Sequence, residues 1–155
     1  MEDPEKIAFK NRLKRWALDL IGQRMAAARE AVDQAQESAN SEEKSSAGDK
    51  YETGRAMGHL QKDMHSRQLA ECVKELAMLH TVNTDLLYPA ATAGAFLRTD
   101  STAFFIAAGL GKQHLDGQVV LFLSPLAPLA KVLQNKKAGD VFIFSGLATT
   151  ILEVF

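Results

Sequence analysis

Two acidic side chains three positions apart, Asp49 and Glu52, follow a glycine in the stretch S-S-A-G-D-K-Y-E-T-G-R. At the start of a helix this spacing is typical of a capping box, in which both carboxylates accept backbone N–H groups and stabilise the helix by about 1 kcal/mol. The same spacing also gathers oxygen ligands that Mg²⁺ accepts, usually one or two carboxylates from one protein surface. Because a helix N-terminus repels cations, we expect the pair to bind Mg²⁺ weakly alone and better when a partner supplies further oxygens.

Two helical stretches flank the acidic pair. The first runs from Pro4 to about Ala39 and the second from about Asp49 to Leu79, and both are rich in good helix formers. Apolar residues recur three or four positions apart, which predicts one apolar face for each helix. The residues of these faces are Leu13, Trp16, Leu20, Ala27, Ala31 and Ala35, then Met57, Leu60, Met64, Leu69, Val73, Leu76 and Leu79.

The polar segment Asn40 to Gly48 separates the two stretches and predicts an antiparallel helical hairpin, a coiled-coil finger roughly 45 Å long at 1.5 Å per residue. A turn centred on this segment would place Gly54 and Gly58 against the first helix around Ala31 and Ala35. Each glycine inside a helix costs about 1 kcal/mol relative to alanine, so close approach of the two backbones is the expected compensation. Trp16 is expected to anchor the wide base of the finger.

After Leu79 the pattern changes to short apolar or β-branched runs separated by turn residues, which predicts a mainly antiparallel β domain. The five runs are A-F-L-R, A-F-F-I-A-A, Q-V-V-L-F-L, D-V-F-I-F and T-T-I-L-E-V-F, and the turns are Gly109 to Lys112, Asp116-Gly117, Gly139-Asp140 and Ser145-Gly146. His114 is expected in a loop.

One short helix should interrupt the strands. Ser124 can cap its start, Pro125 or Pro128 can occupy an early helical position, and Asn135 can end it in the left-handed conformation. Tyr88-Pro89 blocks continuation of the second long helix. The predicted fold class is therefore α+β, with a coiled-coil finger at residues 1–80 whose tip lies near 40–49, and a β domain at residues 81–155.

Composition narrows the classes of protein. The chain has 155 residues, 46% of them apolar, and a formal charge of -1, which suits one ordinary domain or two small units and excludes a disordered chain. Cys72 is the single cysteine, and no charged-then-apolar signal follows Met1, so we expect a reducing, cytoplasmic location. The longest apolar stretch, 119–133, contains two prolines and is shorter than the ~20 residues of a membrane span.

Charge is unevenly distributed along the predicted finger. Basic residues gather near its base, at Lys6, Lys10, Arg12, Lys14 and Arg15, whereas acidic residues gather toward its tip, at Glu30, Asp33, Glu37, Glu42, Glu43, Asp49 and Glu52. These charges could simply solvate an exposed coiled coil. Alternatively, the acidic tip could meet a cation or a basic partner while the base rests on an acidic or phosphate-bearing surface.

Two segments resemble the Gre transcript-cleavage factors, bacterial proteins that insert a coiled-coil finger into the secondary channel of RNA polymerase. Gly48-Asp49-Lys50-Tyr51-Glu52 looks like the finger-tip motif of that family, and L-S-P-L-A-P-L-A-K-V-L-Q-N-K-K-A-G-D-V-F, from Leu123 to Phe142, looks like the signature of its FKBP-like C-terminal domain. The two segments follow the family's order along the chain. The resemblance implies an FKBP-like β domain that docks on RNA polymerase.

The resemblance also implies roles for particular residues. Asp49 and Glu52 would share a Mg²⁺ ion with the polymerase and stimulate its own cleavage of backtracked RNA, so that contact with the RNA 3′ end is indirect. The docking residues would be Ser124, Pro125, Lys136, Lys137 and Asp140, although the two lysines could equally be a solvated turn. The tip sequence N-S-E-E-K-S-S-A and the pair Gly54-Arg55 depart from the family pattern, which leaves open a factor that occupies the channel without cleaving.

The residues bear on two other classes of protein. A free-standing enzyme is disfavoured because Cys72 and the histidines at 59, 65, 80 and 114 show no spacing of a nucleophile–base pair or a zinc site. We therefore expect no small-molecule substrate. Isomerase activity would rest on analogy of fold alone. A hairpin-plus-β module that dimerises or scaffolds without touching polymerase stays open.

Overall fold

A computed structural model describes residues 1–43 and 48–155, with side chains for 1–41 and 53–155. The fold is α+β, as predicted: two long helices, α1 (Asp3–Glu43) and α2 (Gly48–Thr81), come before six strands and one short helix. The strands are β1 (Phe96–Thr99), β2 (Ala103–Ile106), β3 (Gly111–Leu115), β4 (Gln118–Leu123), β5 (Val141–Phe144) and β6 (Leu147–Val154), and the short helix is α3 (Pro128–Leu133). In the described ranges, no helix is both long and apolar enough to cross a membrane.

The chain divides into two compact units. The sheet unit contains Met1–Leu18 and Glu75–Phe155, and the helical unit contains Asp19–Lys74. Residues 1–18 belong with the sheet because α1 packs on it there: the rings of Phe9 and Phe96 meet edge to face, with centroids 4.9 Å apart.

Within the helical unit the two helices run antiparallel, in a register that differs from the expected one. A Cβ built on Gly58 would lie 3.0 Å from the Cβ of Ala39, and Lys62 Nζ donates a 2.7 Å hydrogen bond to Gln36 Oε1. The prediction that Gly58 faces the region of Ala31 and Ala35 is therefore wrong. The reason is that α1 continues to Glu43, into the segment that the sequence predicts as the turn.

The glycine prediction itself is confirmed at Gly58, where the two backbones approach closely: its added Cβ would also lie 3.2 Å from Ala39 Cα. The apolar face predicted for the second helix is largely wrong in this unit, because Met57, Leu60 and Met64 are exposed. The buried apolar residues of α1 in the helical unit are Ile21, Ala28, Ala35 and Ala39.

The sheet has the strand order β3-β4-β2-β1-β6-β5. The β2–β4 pair is parallel and the other four pairings are antiparallel, so the sheet is mixed. Strand β3 was not predicted, and the expected loop position of His114 is wrong: His114 pairs with Val119 of β4. The sequence G-K-Q-H-L gives little strand signal because only Leu115 is buried.

Both faces of the central strand β2 are covered in the sheet unit. One face carries Leu97, Phe104 and Ile106, which pack in one cluster with Leu133 of α3. The other face carries an aromatic row in which Phe96 lies 5.1 Å from Phe155, between ring centroids. Because β2 lies between both layers, all four of its residues are buried, and its run A-F-F-I is apolar throughout.

Candidate functional site

The acidic pair lies where α2 begins. The backbone of Asp49 and Glu52 belongs to α2, which starts at Gly48, but their side chains lie outside the described residues, as do residues 44–47. The capping box and the shared Mg²⁺ site therefore stay predictions. Among the side chains that the structure does describe, no group of three or more His, Cys, Asp or Glu could hold a metal ion.

Ser124 lies before α3, but it does not cap that helix. Its Oγ accepts a 3.2 Å hydrogen bond from the N–H of Leu126, and its carbonyl oxygen accepts one of 3.0 Å from Ala127. The N-cap of α3 is Ala127, without a side-chain cap, and Pro128 takes the early helical position. The capping prediction is wrong because Ser124 and Pro125 belong to a separate turn that comes before the first residue of α3. Pro125 is half-buried in this turn.

At the other end of α3, Asn135 has the left-handed φ of 66° that was predicted for it. Its N–H donates to the carbonyl oxygen of Ala91 at 2.9 Å, and the N–H of Ala91 donates to the carbonyl oxygen of Lys136 at 2.8 Å. These two hydrogen bonds fix the chain direction after the helix. They hold Lys136 half-buried, with Lys137 next to it exposed.

Lys137 and Asp140 are joined in one tight turn. The N–H of Asp140 donates to the carbonyl oxygen of Lys137 at 3.0 Å, and the carboxylate of Asp140 accepts the N–H of Lys137 at 2.8 Å. Gly139 has a φ of 93°, as the third position of a type II turn requires. Asp140 thus has a structural role, and it leaves the Lys137 side chain projecting from a rigid turn directly before β5.

The basic residues predicted to meet an outside surface are largely used within the sheet unit. Lys14 donates to the carbonyl oxygen of Val82 at 2.7 Å, and Lys6 forms a 3.5 Å ion pair with Glu153. Arg12 lies 3.2 Å from Asp116. Most of the basic cluster therefore holds α1 in place.

Lys10 was expected in that basic cluster, yet its side chain is fully buried. Its ammonium group donates hydrogen bonds to the carbonyl oxygens of Leu86 and Gly94 and lies 4.6 Å from the centroid of the Tyr88 ring. Burial lowers the pKa of Lys10 from its ordinary value of 10.5 to about 8, while the charge of Asp85 acts in the opposite direction. Sequence reasoning missed this residue, and no local pattern marks it.

The helical unit carries an open groove of about 780 Å³ between α1 and α2. Its walls include Ala27 and Ala31 from α1, and Met64, His65 and Cys72 from α2. Nδ1 of His65 lies 3.0 Å from Gln68 Oε1, and Cys72 is half-buried. Among the described side chains, none forms a hydrogen bond with the sulfur of Cys72.

The predicted docking residues from Ser124 to Asp140 lie around α3 and the turn that follows it. Comparison with protein-family models, with curated proteins and with solved structures finds no match for this chain.

Proposed function

We propose that this chain is a bacterial transcription factor of the Gre type, which binds RNA polymerase and presents the acidic start of α2 to the polymerase's secondary channel. The observation that carries the proposal is the construction of the segment from Leu123 to Phe142. Asn135 and Gly139 adopt left-handed conformations that set Lys136 and Lys137 on a rigid turn before a strand. An antiparallel helix pair precedes this segment along the chain, in the order that the Gre resemblance requires.

In this proposal the sheet unit is FKBP-like and supplies the docking surface. Ser124 and Pro125 at the start of the α3 region, and Lys136, Lys137 and Asp140 after it, would contact the polymerase. Of these, Lys137 carries an exposed charge for the partner, and Asp140 also holds the turn.

Asp49 and Glu52 would complete a Mg²⁺ site together with carboxylates of the polymerase. The ion would stabilise the negative charge that develops when water attacks a phosphodiester bond of backtracked RNA. Two carboxylates beside a helix N-terminus hold Mg²⁺ weakly by themselves, which makes cleavage depend on the assembled complex.

The test adds the purified protein to backtracked elongation complexes in Mg²⁺ and follows the length of the RNA. We expect RNA shortening that is lost in the double variant Asp49→Asn with Glu52→Gln, while binding to polymerase is retained. Amide side chains keep most of the capping capacity, so the variant separates metal chemistry from folding. An absence of polymerase binding by the wild-type protein would overturn the proposal.

A second function is a regulator that occupies the channel without cleaving. The altered tip, with Gly54-Arg55 beside the acids, favours it. Retained polymerase binding with no RNA shortening would support this function. A scaffold module that never touches polymerase predicts unchanged activity in the Asp49 and Glu52 double variant.

A further inference from the structure

The sheet ends in two edge strands of the same construction. β3 and β5 stand at opposite ends of the strand order, and each is joined to its neighbour by a two-residue turn. Both turns have positive φ at both positions: 49° and 77° at Asp116-Gly117, and 51° and 76° at Ser145-Gly146. This is the type I′ hairpin turn, so the two edges can be compared residue by residue.

The turn determines which backbone groups face outward. In β5 the pair next to the turn is Phe144 with Leu147, and in a two-residue hairpin this pair is hydrogen-bonded. Hydrogen-bonded pairs then alternate with non-bonded pairs along an antiparallel ladder. The N–H and C=O groups of Ile143 and Val141 therefore point away from β6. By the same count, the outward groups of β3 are those of His114 and Lys112.

The two edges differ in their side chains. On β3 the two outward positions carry Lys112 and His114, which are polar residues of the kind that protect an edge from pairing. On β5 they carry Val141 and Ile143, which are 54% and 65% exposed. Among the described residues, the outward backbone groups of β5 have no partner, and they lie beside an exposed apolar surface. Leu152 of β6, 46% exposed, adds to that surface.

We infer that the outer edge of β5 accepts an extended apolar segment of a partner protein as an additional strand. Main-chain hydrogen bonds to Val141 and Ile143 would give affinity, and alternate apolar side chains of the segment would pack beside theirs. The exposed ammonium group of Lys137, on the turn just before β5, favours a segment that carries an acidic residue at that end.

A second copy of this chain does not suit the edge. β5 has four residues, about 13 Å of strand, and pairing two such strands forms about four hydrogen bonds. That contact buries far less than the roughly 1,200 Å² of a specific interface. A specific complex therefore needs a partner that makes further contacts besides the added strand, as the Lys136 and Lys137 turn allows. This step rests on the proposed function, in which polymerase contacts Lys136 and Lys137.

The test compares substitutions at equivalent positions of the two edges. Ile143→Pro removes an outward N–H that β6 does not use, and His114→Pro removes its counterpart on β3. We expect Ile143→Pro to weaken binding to core RNA polymerase about tenfold or more, and His114→Pro to leave it unchanged. Ile143→Lys, which gives β5 the chemistry of β3, provides a second test if the proline variant does not fold, as checked by circular dichroism.

Wild-type affinity in folded Ile143→Pro and Ile143→Lys would overturn the inference and leave the proposed function intact. If the wild-type protein does not bind polymerase, the proposed function fails instead.

A titration of the ¹⁵N-labelled protein with the synthetic peptide Glu-Val-Thr-Val-Thr-Val then decides the inference. We expect shifts and slowed hydrogen exchange at the amides of Val141 and Ile143, lost when alternate peptide nitrogens are methylated. Unchanged amides would overturn it.

Discussion

The ammonium group of Lys10 donates a 3.0 Å hydrogen bond to the carbonyl oxygen of Gly94, inside the sheet unit. This hydrogen bond joins α1 to the segment that leads from α2 into the sheet. The ring of Tyr88, in the same segment, also contacts the ammonium group, in a cation–π interaction. Because the charge is buried, the pKa of Lys10 falls to about 8. The folded protein therefore binds fewer protons than the unfolded chain between about pH 8 and the ordinary pKa of 10.5.

The first prediction concerns stability at alkaline pH. Since the unfolded chain binds more protons in this window, the contribution of Lys10 to the free energy of unfolding rises with pH, by on the order of 2 kcal/mol between about pH 7.5 and pH 10. Urea denaturation at the two pH values should show this gain in the wild type relative to Lys10→Met. Lys112→Met, on the exposed edge strand, controls for the loss of one lysine. Equal pH dependence in the wild type and Lys10→Met would contradict the prediction.

The second prediction compares two glycines in helices. A Cβ on Gly22 would meet nothing within 4 Å, so Gly22→Ala should raise the free energy of unfolding by up to about 1 kcal/mol. Gly58 lies against the backbone of Ala39, so Gly58→Leu should lower it by about 1–3 kcal/mol, because the helices must separate. Thermal unfolding of both variants is the measurement, and destabilisation of similar size in both would be the contrary result.

The third prediction concerns the end of α3. Asn135 has a φ of 66°, so Asn135→Gly should be neutral or slightly stabilising, whereas Asn135→Ala should cost about 1 kcal/mol. Asn135→Ala should also loosen Lys136, whose carbonyl oxygen accepts the N–H of Ala91. Chemical denaturation measures the first effect, and hydrogen exchange at the Ala91 amide measures the second. If alanine proves as stable as glycine, the left-handed conformation does not limit this site.

The fourth prediction concerns the two lysines as a docking charge. Changing both Lys136 and Lys137 to Glu should reduce affinity for core polymerase about tenfold, with a weaker dependence on salt. Changing Lys112 and Arg24 both to Glu makes the same change in net charge away from this turn and serves as the control. Binding measured at several salt concentrations separates the two variants. An equal loss in both would mean that net charge alone, and not this turn, attracts the partner.

The features that could be predicted from sequence are local ones. Helix-forming composition indicated both long helices, and glycine or asparagine at Asn135, Gly139 and Gly146 marked positions where the backbone takes a positive φ. Such preferences depend on a few neighbouring residues, so they can be judged without the fold. The predicted turn at Gly139-Asp140 is confirmed for this reason, with the hydrogen bond from Asp140 to Lys137 that closes it.

The rest was decided by contacts between residues far apart in the chain. Composition and spacing by themselves determined an α+β protein with an acidic helix start and paired lysines after a short helix. Only the tertiary structure made G-K-Q-H-L a strand, by pairing it with β4, and buried Lys10 against Gly94. It likewise set Gly58 against Ala39 and left Val141 and Ile143 on an open edge. Periodicity states which residues share a face, but the partner of that face is determined by packing.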